Sequence, residues 1–130
     1  MTIFSKIISG HIPSYKVAEN ENFLAFLDIF PLAKGHTLVI PKKEVDYIFD
    51  LEDTLLAEFH VFSKRVAKAI EKSVTCKRVG VAVIGLEVPH AHIHLVPINN
   101  VGDISFLSKK LTVPAEELSE IAKKIKGNFI

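Results

Sequence analysis

His90-Ala91-His92-Ile93-His94-Leu95-Val96 sets three histidines at every second position, with apolar residues between and after them. Successive side chains on a strand point to opposite faces, so an extended segment here puts residues 90, 92 and 94 on one face and Ala91, Ile93 and Leu95 on the other. Each step of two residues advances roughly 6.5 Å, so the row spans about 13 Å, the length of a small polyphosphate-like group. Half of the six histidines of the chain lie in these five residues. Histidine has no special strand preference, and a half-buried strand with chance imidazoles is a poor account of the pattern.

Working outward, Lys77 to Ile84 alternates as a strand, and Gly85-Leu86-Glu87-Val88-Pro89 is a connection short enough to make it an antiparallel neighbour of the histidine strand. Pro97 ends that strand or places its end at a sheet edge. After the loop Asn99 to Asp103, a last helix is expected over about 113–126. Pro114 lies in its first turn, Leu118, Ile121 and Ile125 form its stripe, and Gly127 stops it. Before the row, Asp53 opens the longest helix, whose stripe is Leu55, Phe59, Phe62, Val66, Ala69 and Ile70, with His60 beside it on the surface. At the start, Thr2 caps a short helix with Ile3, Phe4, Ile7 and Ile8 on one face, and Gly10 ends it. His11 follows in an extended, solvated connection.

Tyr15 to Glu19 and Phe23 to Ile29 read as a hairpin, the second strand apolar on both faces and therefore central. Asp28 breaks its apolar run, either to start the following turn or to serve a site. His36 to Ile40 is a third strand, stopped by Pro41, with His36 placed to approach a neighbouring strand's polar row. The outline is α+β: an antiparallel sheet of about five strands, one long helix and short terminal helices, in a single domain over 1–130. The near-neutral formal charge of +1 argues against a nucleic acid polymer as partner, and no stretch is long and apolar enough to span a membrane. A single cysteine, Cys76, excludes an internal disulfide, and with no signal-like start the expected location is the cytoplasm.

Two chemistries want several imidazoles on one strand face. Histidines two apart can share a Zn²⁺. Alternatively, a neutral imidazole attacks phosphorus and is released by water, while its neighbours donate hydrogen bonds to the non-bridging oxygens.

The run 90–96 resembles the His-x-His-x-His-x-x signature of the histidine triad family of nucleotide hydrolases and transferases. Phe23 to Ile29, followed by Gly35 to Lys42, is similar to that family's N-terminal strands in order and spacing. Ile3 to Ile8 with Ile12-Pro13 resembles the branch of histidine triad nucleotide-binding proteins. The matches cover roughly 3–99. The resemblance implies a purine nucleotide hydrolase acting at the α-phosphate, with His92 as nucleophile, His90 and His94 holding the phosphate, and His36 supporting them. It further implies Asp28 on the ribose hydroxyls and Phe4, Ile7, Phe26, Ile29 and Leu38 around the base. No cofactor and no metal are expected, and a homodimer is. A binding module with little turnover, a dinucleoside polyphosphate hydrolase, a nucleotidyltransferase and a zinc site on the row are the alternatives. The chain departs from the family pattern before the triad, where relatives commonly carry an Asn and a Gly-Gln pair. Here the stretch is shorter and contains the acidic Glu87.

Overall fold

A strand that is apolar on both faces needs cover on both, and Phe23–Leu27 (β2) has it, with all five residues buried. The computed structural model describes residues 1–130. Around β2 lie α1 (Ile3–Ile8), β1 (Lys16–Glu19), β3 (Thr37–Pro41), α2 (Asp53–Ser73), β4 (Arg78–Ala82), β5 (Ile93–Ile98) and α3 (Ala115–Asn128), with 3-10 turns at Ile48–Asp50 and Val101–Ile104. The five strands form one antiparallel sheet in the order β1-β2-β3-β5-β4, the α+β architecture expected.

The strand period of two sorts the core. Phe23, Ala25, Leu27, Val39, Ile93 and Leu95 turn to one face, where the α2 stripe Phe59, Phe62, Val66, Ala69 and Ile70 and the α3 residues Leu118, Ala122 and Ile125 cover them. Leu24, Phe26, Leu38 and Ile40 turn to the other, covered by Phe4 and Ile7 of α1 with the half-buried Ile8, Ile12 and Val88 around them. His94 sits opposite Leu38 in the β3–β5 register, so the histidines belong to this thinly covered face.

Several boundaries differ from expectation for identifiable reasons. The histidine strand begins at Ile93, not His90, because its partner β3 ends in Pro41, which has no N–H to continue the ladder. His90 to His92 instead run as a bent segment held by Ala91 N–H donating to Val45 O at 2.7 Å. Pro114 precedes α3 as its cap residue, and Gly127 does not stop the helix. The end comes at Asn128, whose side-chain amide donates to Ser73 Oγ at 2.9 Å. Gly10 does end α1 with φ +85, and Thr2 Oγ1 does cap it by accepting from Ser5 N–H at 3.0 Å. Gly35, with φ +99, leads into β3, and a Cβ there would stand 2.9 Å from Val74 Cγ2. No helix is long and apolar enough to cross a membrane.

Phe59 stacks on Phe23 at 5.5 Å in the larger core. Phe59→Ala is expected to cost about 3 to 5 kcal/mol in urea denaturation. His60→Ala, on the exposed flank of the same helix, should shift stability by less than about 0.5 kcal/mol.

Candidate active site

The backbone decides which nitrogen of each buried histidine carries the proton. Leu32 N–H, a donor only, points at His36 Nδ1 at 3.0 Å, so that nitrogen holds a lone pair and the proton sits on Nε2. His36 Nε2–H therefore donates to His94 Nδ1 at 3.0 Å, which leaves His94 with its proton on Nε2. His92 Nδ1 lies 2.7 Å from the carbonyl oxygen of His90, which can only accept. His92 thus carries its proton on Nδ1 and presents a bare Nε2 lone pair. His90 Nε2–H donates to Pro41 O at 2.8 Å, and His90 Nδ1 pairs with the Thr2 hydroxyl at 3.0 Å.

The row is thereby ordered: a proton on His94 Nε2 beside a lone pair on His92 Nε2, with the rings packed edge to face at 4.9 Å. His90 is spent differently from the expectation that it holds phosphate. Both its nitrogens serve protein groups, and its carbonyl fixes His92. From the other side Glu44 Oε1 accepts Thr2 N–H at 3.1 Å and the Ser5 hydroxyl, and so fastens the start of α1 to the loop after β3. That helix places Phe4 edge-on to His92 at 5.0 Å and to Phe26 at 5.6 Å.

The structure brings Phe4, Ile7, Phe26 and Leu38 into one apolar cluster beside the histidines. Ile29 stands apart from it, half exposed in the loop after β2. Asp28 answers to both of its sequence readings. Its Oδ1 accepts Phe30 N–H at 2.9 Å in a turn, while Oδ2 faces the site 3.7 Å from His36 Nε2. That contact is not an ion pair at neutral pH. Burial, then the neighbouring His94 and Lys110, pushes His36 down to about 3. His94 is likewise pushed to about 4 by burial and then by His92 and Lys110. Burial also lowers His92, partly offset by the His90 carbonyl, and burial raises Asp28.

Two residues that the sequence reading passed over stand at the site. The Phe106 ring meets His94 at 4.6 Å and His36 at 6.3 Å, and Lys110 lies against Phe106. No periodicity marks them, since they sit in an irregular segment brought across the site by Leu111 N–H donating to Pro31 O at 2.8 Å.

Asp28, His36 and His94 offer ligand atoms within 4.8 Å of one another, close enough for one metal ion. A metal would need lone pairs on both His36 Nε2 and His94 Nδ1. His36 would then have to move its proton to Nδ1, against Leu32 N–H. The hydrogen bonds are arranged for neutral rings at His36, His92 and His94.

An antiparallel sheet that sets a triad of neutral histidines beside an apolar slot defines a nucleotide-binding class of fold. A family model described as the HIT domain matches residues 9–101, and the chain belongs to the HIT family. An uncharacterized HIT-like protein of Methanocaldococcus jannaschii is 37% identical over 132 residues, covering 98% of this chain and 100% of that one. An adenosine 5′-monophosphoramidase of Schizosaccharomyces pombe is 39% identical over 99 residues, covering 75% of this chain and 74% of the relative. A zinc-bound histidine triad family protein of Mycobacterium smegmatis superposes with a TM-score of 0.82 at 30% identity, over 97% of this chain and 91% of that one.

Folding removes His36 and His94 from titration near the ordinary value of about 6.5 that they regain when unfolded. Their folded values, about 3 and about 4, lie below it, so between these limits the unfolded chain binds more protons. The stability they contribute is complete above about 6.5 and is lost as pH falls through about 4 and then about 3. Urea unfolding across that window should show this slope, and His94→Gln should flatten it. An unchanged slope would assign the acid response to carboxylates instead.

Proposed function

We propose that the chain is a hydrolase of purine nucleoside monophosphate derivatives of the phosphoramidate type, cleaving at the α-phosphate through a nucleotidyl-His92 intermediate. The observation that carries this reading is the fixed tautomer of His92, a neutral imidazole whose free Nε2 lone pair stands beside the His94 Nε2–H donor. In the first step His92 Nε2 forms a bond to phosphorus and the bond to the leaving nitrogen breaks as that nitrogen takes a proton from solvent, a proton that the water of the second step returns. The ring becomes cationic, and its Nδ1–H points at the His90 carbonyl, which stabilises the charge as it develops. His94 Nε2–H donates to a non-bridging oxygen, and because the ring is neutral it gives a hydrogen bond rather than its proton. In the second step water attacks phosphorus, His92 leaves, and the nucleoside monophosphate is released. An acceptor other than water would turn the same intermediate into nucleotidyl transfer.

His36 and His90 are positioning residues in this scheme, one fixing His94 and the other His92. Asp28 accepts from the ribose hydroxyls through the carboxylate oxygen not used in its turn. Phe4, Ile7, Phe26 and Leu38 receive the base, with Ile29 at the open edge. An apolar slot of this kind accepts either purine. The similarity to the yeast phosphoramidase supports the leaving-group class, and the free thiol of Cys76 suits work in the cytoplasm.

His92→Asn keeps a polar side chain and removes the ring nucleophile. Turnover of an adenosine phosphoramidate is expected to fall by orders of magnitude, with fold and nucleotide binding retained. Rapid quench and mass spectrometry of the wild-type protein should find an acid-labile nucleotidyl group on the peptide containing His92. Absence of the adduct, with activity abolished by chelators, would replace this mechanism with a metal site.

We also propose a homodimer formed at the β4 edge. The two sheet edges differ in chemistry: β1 ends in the charged Lys16 and Glu19, whereas the β4 side exposes Val81, Val83, Ile84 and Leu86. Sedimentation at micromolar concentration should report twice the 14.5 kDa chain mass, and a stable monomer would reject the pairing.

A further inference from the structure

The neutral rings of His36, His92 and His94 carry no formal charge, and the phosphate of a nucleotide is an anion. A site that binds it without a cation gives up the charge-assisted part of the interaction. Lys110 lies near this site and forms no direct ion pair. The lysines that form ion pairs are Lys16, Lys34, Lys42 and Lys68, and no carboxylate lies within 4 Å of Lys110. Lys110 Nζ donates one of its three protons to Phe106 O at 3.2 Å and stands 5.5 Å from the Phe106 ring centre. That ring rests on His94, and the next residue, Leu111, is tied to Pro31 in the loop that carries Asp28 and His36. Lys110 is half-buried, and its ammonium stands beside the ring that rests on His94, with two protons uncommitted.

We infer that Lys110 is the phosphate-binding cation of this site, held in place by the Phe106 strap. The inference rests on the nucleotide reading above and adds to it the residue that tells a nucleotide from a nucleoside. The field of Lys110 at Asp28, His36 and His94 agrees with this placement, since it favours the ionised carboxylate and the neutral rings. Phe106 has two roles. Its carbonyl anchors the ammonium, and its ring shields one side of His94, so the charge acts through a drier medium than open solvent.

The alternative is that Lys110 merely ties its own loop together through Phe106 O. Calorimetric titration of the full chain with adenosine 5′-monophosphate and with adenosine separates the two. The wild-type protein should prefer the monophosphate, and the preference should shrink as sodium chloride is raised. Lys110→Met should weaken monophosphate binding by about tenfold, leave adenosine binding unchanged and remove the salt dependence. Lys110→Arg should restore the preference, and Lys109→Met, on the exposed neighbour, should leave it intact. A Lys110→Met protein that keeps the full preference, or that loses both ligands equally, overturns the inference while the nucleotide reading stands. If that variant does not fold, the wild-type salt dependence and the arginine variant decide: no salt dependence, or no preference in Lys110→Arg, rejects Lys110 as the phosphate cation. A wild-type chain that binds neither ligand refutes the nucleotide reading, and the inference falls with it.

Discussion

The hydrogen bond from His36 Nε2–H to His94 Nδ1 joins two rings that are both buried and both uncharged. Its direction is imposed by Leu32 N–H, a backbone donor that reverses only if the loop is rebuilt. Reversing the proton on His36 would put two donors face to face at Leu32. Charging the pair would cost the desolvation of an imidazolium in an apolar layer. Either change is opposed by several groups at once, so the pair holds one protonation pattern and passes it to the open end of His94. His92 is treated in the same way by the His90 carbonyl. The chemistry of the row is therefore set mostly by peptide groups, and the side chains around it supply shape.

The unequal cover of the sheet explains where such a site can sit. The α2 and α3 face carries the larger core, in which the sheet residues pack against two helices. The opposite face has one helix, the six-residue α1, too short to be stable alone, and it is held by Thr2, Ser5 and Glu44 at its start and by Phe4 and Ile7 along its length. A helix docked so lightly sets Phe4 and Ile7 beside the histidines in a cluster of only six buried residues. The larger core provides the stability that lets this side stay partly open.

Most of the fold was legible because its signals are local. The two-sided run at Phe23–Leu27, the stripe from Leu55 to Ile70 and the caps at Thr2 and Gly10 each follow from neighbours in sequence. The residues of the site were named from the histidine alternation and the family resemblance, but their proton states were not legible. Those depend on Leu32, Pro41 and the His90 carbonyl, and backbone groups leave no mark in side-chain identity. The same limit explains the strand start at Ile93, where a proline on a partner strand, distant in sequence, ends the ladder. Phe106 and Lys110 escaped notice because one tertiary hydrogen bond, Leu111 to Pro31, and no periodic pattern, carries them to the site. Gly127 misled in the opposite sense: a residue that often ends helices lies inside α3, and the packing of Asn128 on Ser73 carries the helix past it.

The β3–β5 seam is paired at only three positions, Thr37 with Leu95, Leu38 with His94 and Val39 with Ile93. It joins the N-terminal strands β1 to β3 to the C-terminal pair β4 and β5. Every functional contact among the histidines crosses or borders that seam, between residues separated by as much as 58 positions in the chain. A growing chain on the ribosome can form its first hairpin and long helix early, yet it holds no part of the histidine row until β5 has been made and has reached β3. Segments that supply Phe106 and Lys110 arrive later still. During synthesis the chain lacks an ordered histidine row for most of its length, and the proton pattern of that row becomes defined only when the sheet closes around it.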